Sequence, residues 1–388
     1  MTSATSPVLF QRILEFIKDR FPHEHPVPLH APRFVTHEKE YLARCIDSTF
    51  VSYVGEFVFA FEKAVSEYTH AAHSIAVVNG TAALHMALHA VGVERGDEVL
   101  TQALTFVATA NAIAYSGAVP VFIDIDRAYL GMSPDDLKAF LEEHARLDDD
   151  GYCRNKISGN RIAACVPVHV FGHPCRIAEI KKLCDKWKIA LVDDSAESLG
   201  SFRNGRHTGT FGDIGVLSFN GNKIVTTGGG GMIITDNEAY ANKIKHLTTT
   251  AKAPHKWEYY HDEVGYNYRM PNINAAVGCA QMEALPGFLK NKRELAMAYK
   301  LFFHELGVGF IDEPPGCTAN FWLNAIVLSS REERDGFLGF SNSNGVQTRP
   351  VWTLMNKLPM YKTCQATALE NSRWCEDRIV NIPSSVRL

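Results

Sequence analysis

The stretch GDIGVLSFNGNKIVTTGGGGMIITD, Gly212 to Asp236, decides how the chain is read. Lys223 follows Ser218, Asn220, Gly221 and Asn222, a small polar turn, and precedes the β-branched run Ile224 to Thr227. Four glycines, Gly228 to Gly231, and the strand-like MIIT come next. A glycine run lets backbone approach another group closely. Most lysines are solvated surface residues. One set in an apolar, glycine-lined turn can lose its proton and act as an amine nucleophile, so this stretch alone leaves both readings open.

Upstream, the same kind of unit repeats. Ile75 to Val78 reads as a buried strand, Asn79-Gly80-Thr81 as a turn and Ala82 to Val91 as a helix. Such a unit gathers free backbone N–H groups and a positive helix end at one spot, suited to an anion. VLTQALTFVATANAIAYSG, VPVFIDID, a helix capped by Ser133 with Pro134 at its first position, IAACVPVHVFG, a helix over 177–187 and a strand over 189–193 continue the alternation. The pattern predicts an α/β fold with a mainly parallel sheet between helices, its ligands beyond the carboxyl ends of the strands. Asn79 to Thr81, Thr105, Phe106, His169 and Asp193 to Glu197 all fall at that edge. LDDDGYCRNKISGN reads as a surface insertion, 8–20 as an amphipathic helix, and the region after Asp236 as helices beginning near Pro271 and again near Pro286. The expected organisation is an N-terminal appendage helix over 1–30, a large cofactor-binding domain over 31–285 and a smaller C-terminal α/β domain over 286–388.

Composition excludes several classes. The 388 residues carry 43 acidic and 39 basic side chains, a net charge of −4, which gives no footprint for nucleic acid. Nine scattered cysteines suit reduced thiols in a cytoplasm, and no stretch reads as a signal peptide or a membrane span. Cys165, His169, His173 and Cys175 resemble metal ligands, but Cys165 and His169 on one strand stand roughly 13 Å apart, too far for one zinc, so no metal is expected. No G-x-G-x-x-G joins a strand to a helix, which argues against a dinucleotide.

An anion cradle, an aromatic, an acidic pair and a buried lysine are together what pyridoxal 5'-phosphate requires. NGTAALHMAL, TFVATANAI, PVHVFG, VDDSAESLGS, SFNGNKIVTTGGGG, GYNYRMPNINAAVG and VQTRPVW, in this order, resemble the DegT/DnrJ/StrS nucleotide-sugar aminotransferases of fold type I, aspartate aminotransferase-like. The N-terminal extension and RPVWTLMNKLPMY are most similar to enzymes of the legionaminic and bacillosamine pathways. The resemblance implies that Lys223 is the Schiff-base lysine, Asp194 the partner of the pyridinium nitrogen, and Ser218, Gly80 and Thr81 phosphate contacts. Phe106 matches the stacking position, with core packing the lesser alternative. Glu197 stands where the family more often has Gln or His. His169 matches a histidine near cofactor and sugar, or is a satisfied strand-end histidine. Asn267 matches an asparagine that reaches a neighbouring subunit's cofactor, implying a homodimer with shared active sites. Tyr53, Arg349 and Trp352 are expected near substrate. The implied reaction moves an amino group from an amino acid, L-glutamate by analogy, to C4 of a UDP-linked 2-acetamido-4-keto-6-deoxyhexose. GDP- or dTDP-linked sugars, a lyase or dehydratase reaction, and a non-catalytic cofactor-binding regulator stand as alternatives.

Overall fold

The computed structural model describes residues 7–387; residues 1–6 and 388, at the outer ends of the expected first and last segments, lie outside it. Seven strands form the principal sheet: β1 (His73–Val77), β2 (Glu98–Gln102), β3 (Val119–Ile123), β4 (Ile162–Val166), β5 (Ala190–Asp194), β6 (Ile214–Ser218) and β7 (Gly231–Thr235). Their order is β1-β7-β6-β5-β4-β2-β3, and only β7 runs against the rest. The strands are short and apolar because both faces are covered. On one face lie α4 (Gly80–Ala90) and α8 (Glu238–Thr248), which bury Leu84, Ala87 and Ile244 with Ile75 and Val216. On the other, α3 (Glu56–Thr69) and the first half of α9 (Asn272–Leu306) bury Phe57, Phe61 and Ala275 with Leu217 and Ile234.

Register sets the site. Gly231 of β7 lies opposite Val77 on one side and Ser218 on the other. A Cβ there would meet the Asn79 carbonyl oxygen at 2.5 Å, so the last glycine of the run lets the turn after β1 close up beside the end of β6. On the parallel side Val216 lies opposite Asp194, which puts the ends of β5 and β6 at the same edge.

Beyond this sheet the chain forms a second, antiparallel one: β8 (Gly309–Phe310), β9 (Asn324–Val327), β10 (Arg349–Pro350) and β11 (Ile379–Ile382), in the order β8-β9-β11-β10. α1 (Pro7–Arg20) is not set apart from it. Ile13, Leu14 and Ile17 share one core with Leu295, Tyr299, Phe303 and Phe337.

Three local expectations change. The helices expected near Pro271 and Pro286 are a single 35-residue helix, α9, with Pro286 inside it. Its buried face continues through Leu285, Phe288, Leu295 and Tyr299, and that packing outweighs the hydrogen bond a proline removes. IAACVPVHVFG is not one strand: β4 stops at Val166, before Pro167, and His169 sits in the loop that follows. The 13 Å spacing along a strand therefore does not apply to His169. The expected surface insertion is a hairpin, Ala145–Leu147 with Cys153–Asn155, whose Asn155 is buried and donates to Glu98 at 2.7 Å. Among the described residues no helix is long and apolar enough to cross a membrane.

Candidate active site

A cavity of about 320 Å³ opens at the carboxyl edge of the principal sheet. Lys223 reaches it from a tight turn in which its own N–H donates to the Asn220 carbonyl at 2.9 Å, while Phe219 and Gly230 close the loop behind it at 2.8 Å. The lysine side chain is 13% exposed. Its Nζ lies 3.6 Å from Oε1 of Glu197 and 3.9 Å from the ring centroid of Trp322. Burial pushes its pKa down, against the opposing charges of Glu197 and Asp194. The neutral amine, the nucleophilic form, is thus reached at lower pH than for a free lysine.

Asp194 is the last residue of β5 and is buried. Its Oδ2 accepts from the Thr109 hydroxyl at 2.9 Å and its Oδ1 from the Ala196 N–H at 3.2 Å. Burial raises its pKa, and these hydrogen bonds and Lys223 pull the other way. Glu197, one turn on, accepts from the Phe171 N–H at 2.8 Å, and burial raises its pKa as well. Phe171 has φ +57°, a left-handed conformation costly for a bulky residue, and its ring packs 5.2 Å from that of Trp352.

The opposite wall is an anion cradle. Asn79 caps α4 by accepting from Ala82 N at 2.7 Å, and the helix begins at Gly80 and Thr81 beside Ser218. A Cβ on Gly80 would stand 3.0 Å from Cβ and 3.1 Å from Oγ of Ser218, so the glycine leaves room between helix end and hydroxyl. Phe106, 53% exposed, and Trp352 stand at the mouth with ring centroids 6.4 Å apart.

These residues fit pyridoxal 5'-phosphate. The helix end, the Thr81 and Ser218 hydroxyls and the Gly80 gap suit a phosphate, and Lys223 suits an aldehyde. Two buried acids face one lysine, so a cationic ring nitrogen would balance the charge of the set.

Of the residues expected from the sequence, the structure brings Lys223, Asp194, Glu197, Ser218, Gly80, Thr81, Phe106 and Trp352 to one cavity. His169 is not brought there. Fully buried, it pairs Nε2 with Asp193 at 2.7 Å and accepts from Cys175 N on Nδ1 at 3.0 Å, so both nitrogens hold the loops behind the site. It does not line the cavity, and its two hydrogen bonds match the alternative reading of a satisfied histidine. Asn267 and Tyr53 are exposed and away from the cavity, and Arg349 bonds to Asn342 and the Thr348 carbonyl. Thr109 and Trp322 belong to the site and were not singled out from the sequence. Thr109 could have been found three residues after Phe106, on the first turn of α5 (Val107–Tyr115). A larger, open hollow of about 660 Å³ lies by Tyr41, Glu56, Cys279 and Glu283, remote from this chemistry.

Residues 32–388 match the DegT/DnrJ/EryC1/StrS aminotransferase family. The chain belongs to this family. As a DegT/DnrJ/EryC1/StrS aminotransferase it is 37% identical over 360 residues, 92% of this chain and 93% of the other, to GDP-perosamine synthase of Escherichia coli O157:H7. It is 35% identical over 361 residues, 92% and 94% of the two chains, to GDP-perosamine synthase of Vibrio cholerae. Among solved structures, the aminotransferase TlmJ from Streptoalloteichus hindustanus superposes with a TM-score of 0.83 at 26% identity, over 92% of this chain and 93% of that one. The protein is accordingly a pyridoxal phosphate-dependent sugar aminotransferase of nucleotide-sugar pathways, with the fold type I architecture.

Proposed function

We propose that the enzyme transfers an amino group from L-glutamate to C4 of a nucleotide-linked 4-keto-6-deoxyhexose, releasing 2-oxoglutarate and the 4-amino sugar. The observation that carries this reading is the meeting of Lys223, Asp194 and the Gly80–Ser218 cradle in one cavity. The GDP-perosamine synthases among its relatives support a GDP-linked acceptor ahead of the UDP-linked 2-acetamido sugar expected from the sequence.

When bound, the cofactor supplies an aldehyde carbon and an electron sink. Lys223 would be its covalent anchor and, once freed by the amino donor, would take the proton from the donor's Cα as general base and deliver it to the former aldehyde carbon as general acid. Lowered basicity from burial suits the group to both tasks. Asp194, fixed by Thr109, would keep a proton on the ring nitrogen. Ser218, Thr81 and the start of α4, which line the cavity, would hold the phosphate, and Phe106 at its mouth would stack on the ring. Trp352 borders the space left for the sugar.

A homodimer completing each site is part of the reading. Phe50, Val51, Tyr53, Val54 and Phe59 are exposed apolar residues around the start of α3, and a second copy would cover them. Exposed Asn267 is free to reach a neighbouring copy. We place the reaction in the cytoplasm, where nucleotide sugars are made.

The test is a coupled assay. The loaded enzyme is given L-glutamate with GDP-4-keto-6-deoxymannose or the UDP-linked 4-keto sugar, and 2-oxoglutarate and amino sugar are measured. Amino sugar in equal amount to 2-oxoglutarate supports the reading; 2-oxoacid or water release without amino sugar overturns it.

A further inference from the structure

Lys292, on the inner face of α9, is fully buried, and no carboxylate pairs with it among the described residues. Its Nζ donates to the Trp322 carbonyl at 3.2 Å and the Ser384 carbonyl at 2.5 Å, and shares a hydrogen bond with Nε2 of His30 at 3.0 Å whose direction follows the imidazole tautomer. The ammonium has three N–H donors and the neutral amine two with one lone pair, so either form completes the set, with His30 accepting in the first case and donating in the second. Holding a cation on neutral dipoles alone is costly in a buried site. Burial accordingly pushes its pKa down to about 7.

The three partners lie far apart in the chain, after α1, just before β9 and just after β11. One of them leads to the active site. The indole of Trp322 is the shelf on which Lys223 Nζ stands, and its Nε1 donates at 2.6 Å to the carbonyl of Asn222, the residue before Lys223. His30 packs against the same indole with ring centroids 6.5 Å apart. A continuous line of contacts therefore runs from Lys292 through the backbone and ring of Trp322 to the turn that presents the reactive amine.

We infer that Lys292 is a positioning residue for Lys223, fixing Trp322 so that the shelf and the 220–223 turn hold the amine at the cavity. This rests on Lys223 being the lysine that anchors the cofactor, and is independent of which sugar is aminated. A staple that merely joined the two sheets would affect stability alone.

The test follows formation of the visible band when pyridoxal phosphate is mixed with the cofactor-free full-length protein. Lys292→Met is expected to reach the same final cofactor content about tenfold more slowly, because small misplacements of a reacting group have large rate effects. Trp322→Phe, which keeps a ring but loses Nε1, is expected to slow it similarly, and the double variant to be no slower than the slower single one. Wild-type rates in Lys292→Met with a lowered melting temperature, or effects that multiply, overturn the inference. Should the Met variant not fold, Lys292→Gln keeps two N–H donors and is judged by the same outcomes. A band that persists in Lys223→Ala would instead overturn the assignment of Lys223.

Discussion

The amine of Lys223 lies 3.6 Å from a carboxylate oxygen of Glu197, and both side chains are largely buried. The pair opposes burial: desolvation favours the neutral amine, and the Glu197 charge favours the ammonium. Replacing Glu197 by Gln removes that charge and keeps the shape. The midpoint at which the bound cofactor's visible band titrates is then expected to move to lower pH, by about one unit for a charge at this range. Spectrophotometric titration reads this, and an unmoved midpoint would show that Glu197 does not control the proton at Lys223.

The cradle makes a separate claim. A methyl group at Gly80 would crowd Ser218 at 3.0 to 3.1 Å, in the space assigned to the phosphate. Gly80→Ala is expected to weaken pyridoxal phosphate binding about tenfold, or about 1.4 kcal/mol, while the cofactor-free protein keeps its melting temperature. Equilibrium binding followed by absorbance measures it; unchanged affinity would move the phosphate elsewhere.

His169 divides structure from chemistry. Its removal leaves Asp193 buried without its imidazole partner, although Asp193 still accepts from Gly209 N at 2.9 Å. His169→Phe is expected to cost about 2 kcal/mol of stability and to leave the pH dependence of turnover as in the wild type. Denaturant unfolding and a pH–rate profile together check this. A lost limb of the profile would return His169 to the catalytic set.

Lys292 gives the stability a sign. Held near 7 by burial against an ordinary 10.5, it is neutral in the native state and protonated in the unfolded chain between those values. The unfolded chain binds more protons there, so native stability rises with pH through that window. Lys223 contributes in the same direction. His30, which faces Lys292, is lowered by burial and by its lysine neighbours and acts only below 6.5. Melting temperatures of the cofactor-free protein measured from pH 7 upward should therefore climb less steeply in Lys292→Met than in the wild type. Equal slopes would contradict it.

What the sequence made legible is local. Ser218, Lys223, Asp194, Gly80 and Phe106 each end or follow one of the parallel strands of the principal sheet, and parallel strands end at one edge, so their meeting is legible in strand and turn signals. Residues joined by long-range packing are not. Trp322 reaches Lys223 from the second sheet, and Lys292 contacts residues 30, 322 and 384. Pro286 differs for a related reason: its own preference is for a helix boundary, and the packing of Leu285, Phe288 and Leu295 around it overrides that preference. His169 was placed on a strand that Pro167 ends, and its partners Asp193 and Cys175 appear only once the loops fold back.

The central claim is that Lys223 is the covalent anchor of the cofactor. Borohydride reduction of the loaded enzyme, followed by peptide mass analysis, tests it directly. A pyridoxyl group on the peptide bearing Lys223, absent from Lys223→Ala, is the expected result. A pyridoxyl group on another lysine, or none on a protein that has bound the cofactor, would contradict it.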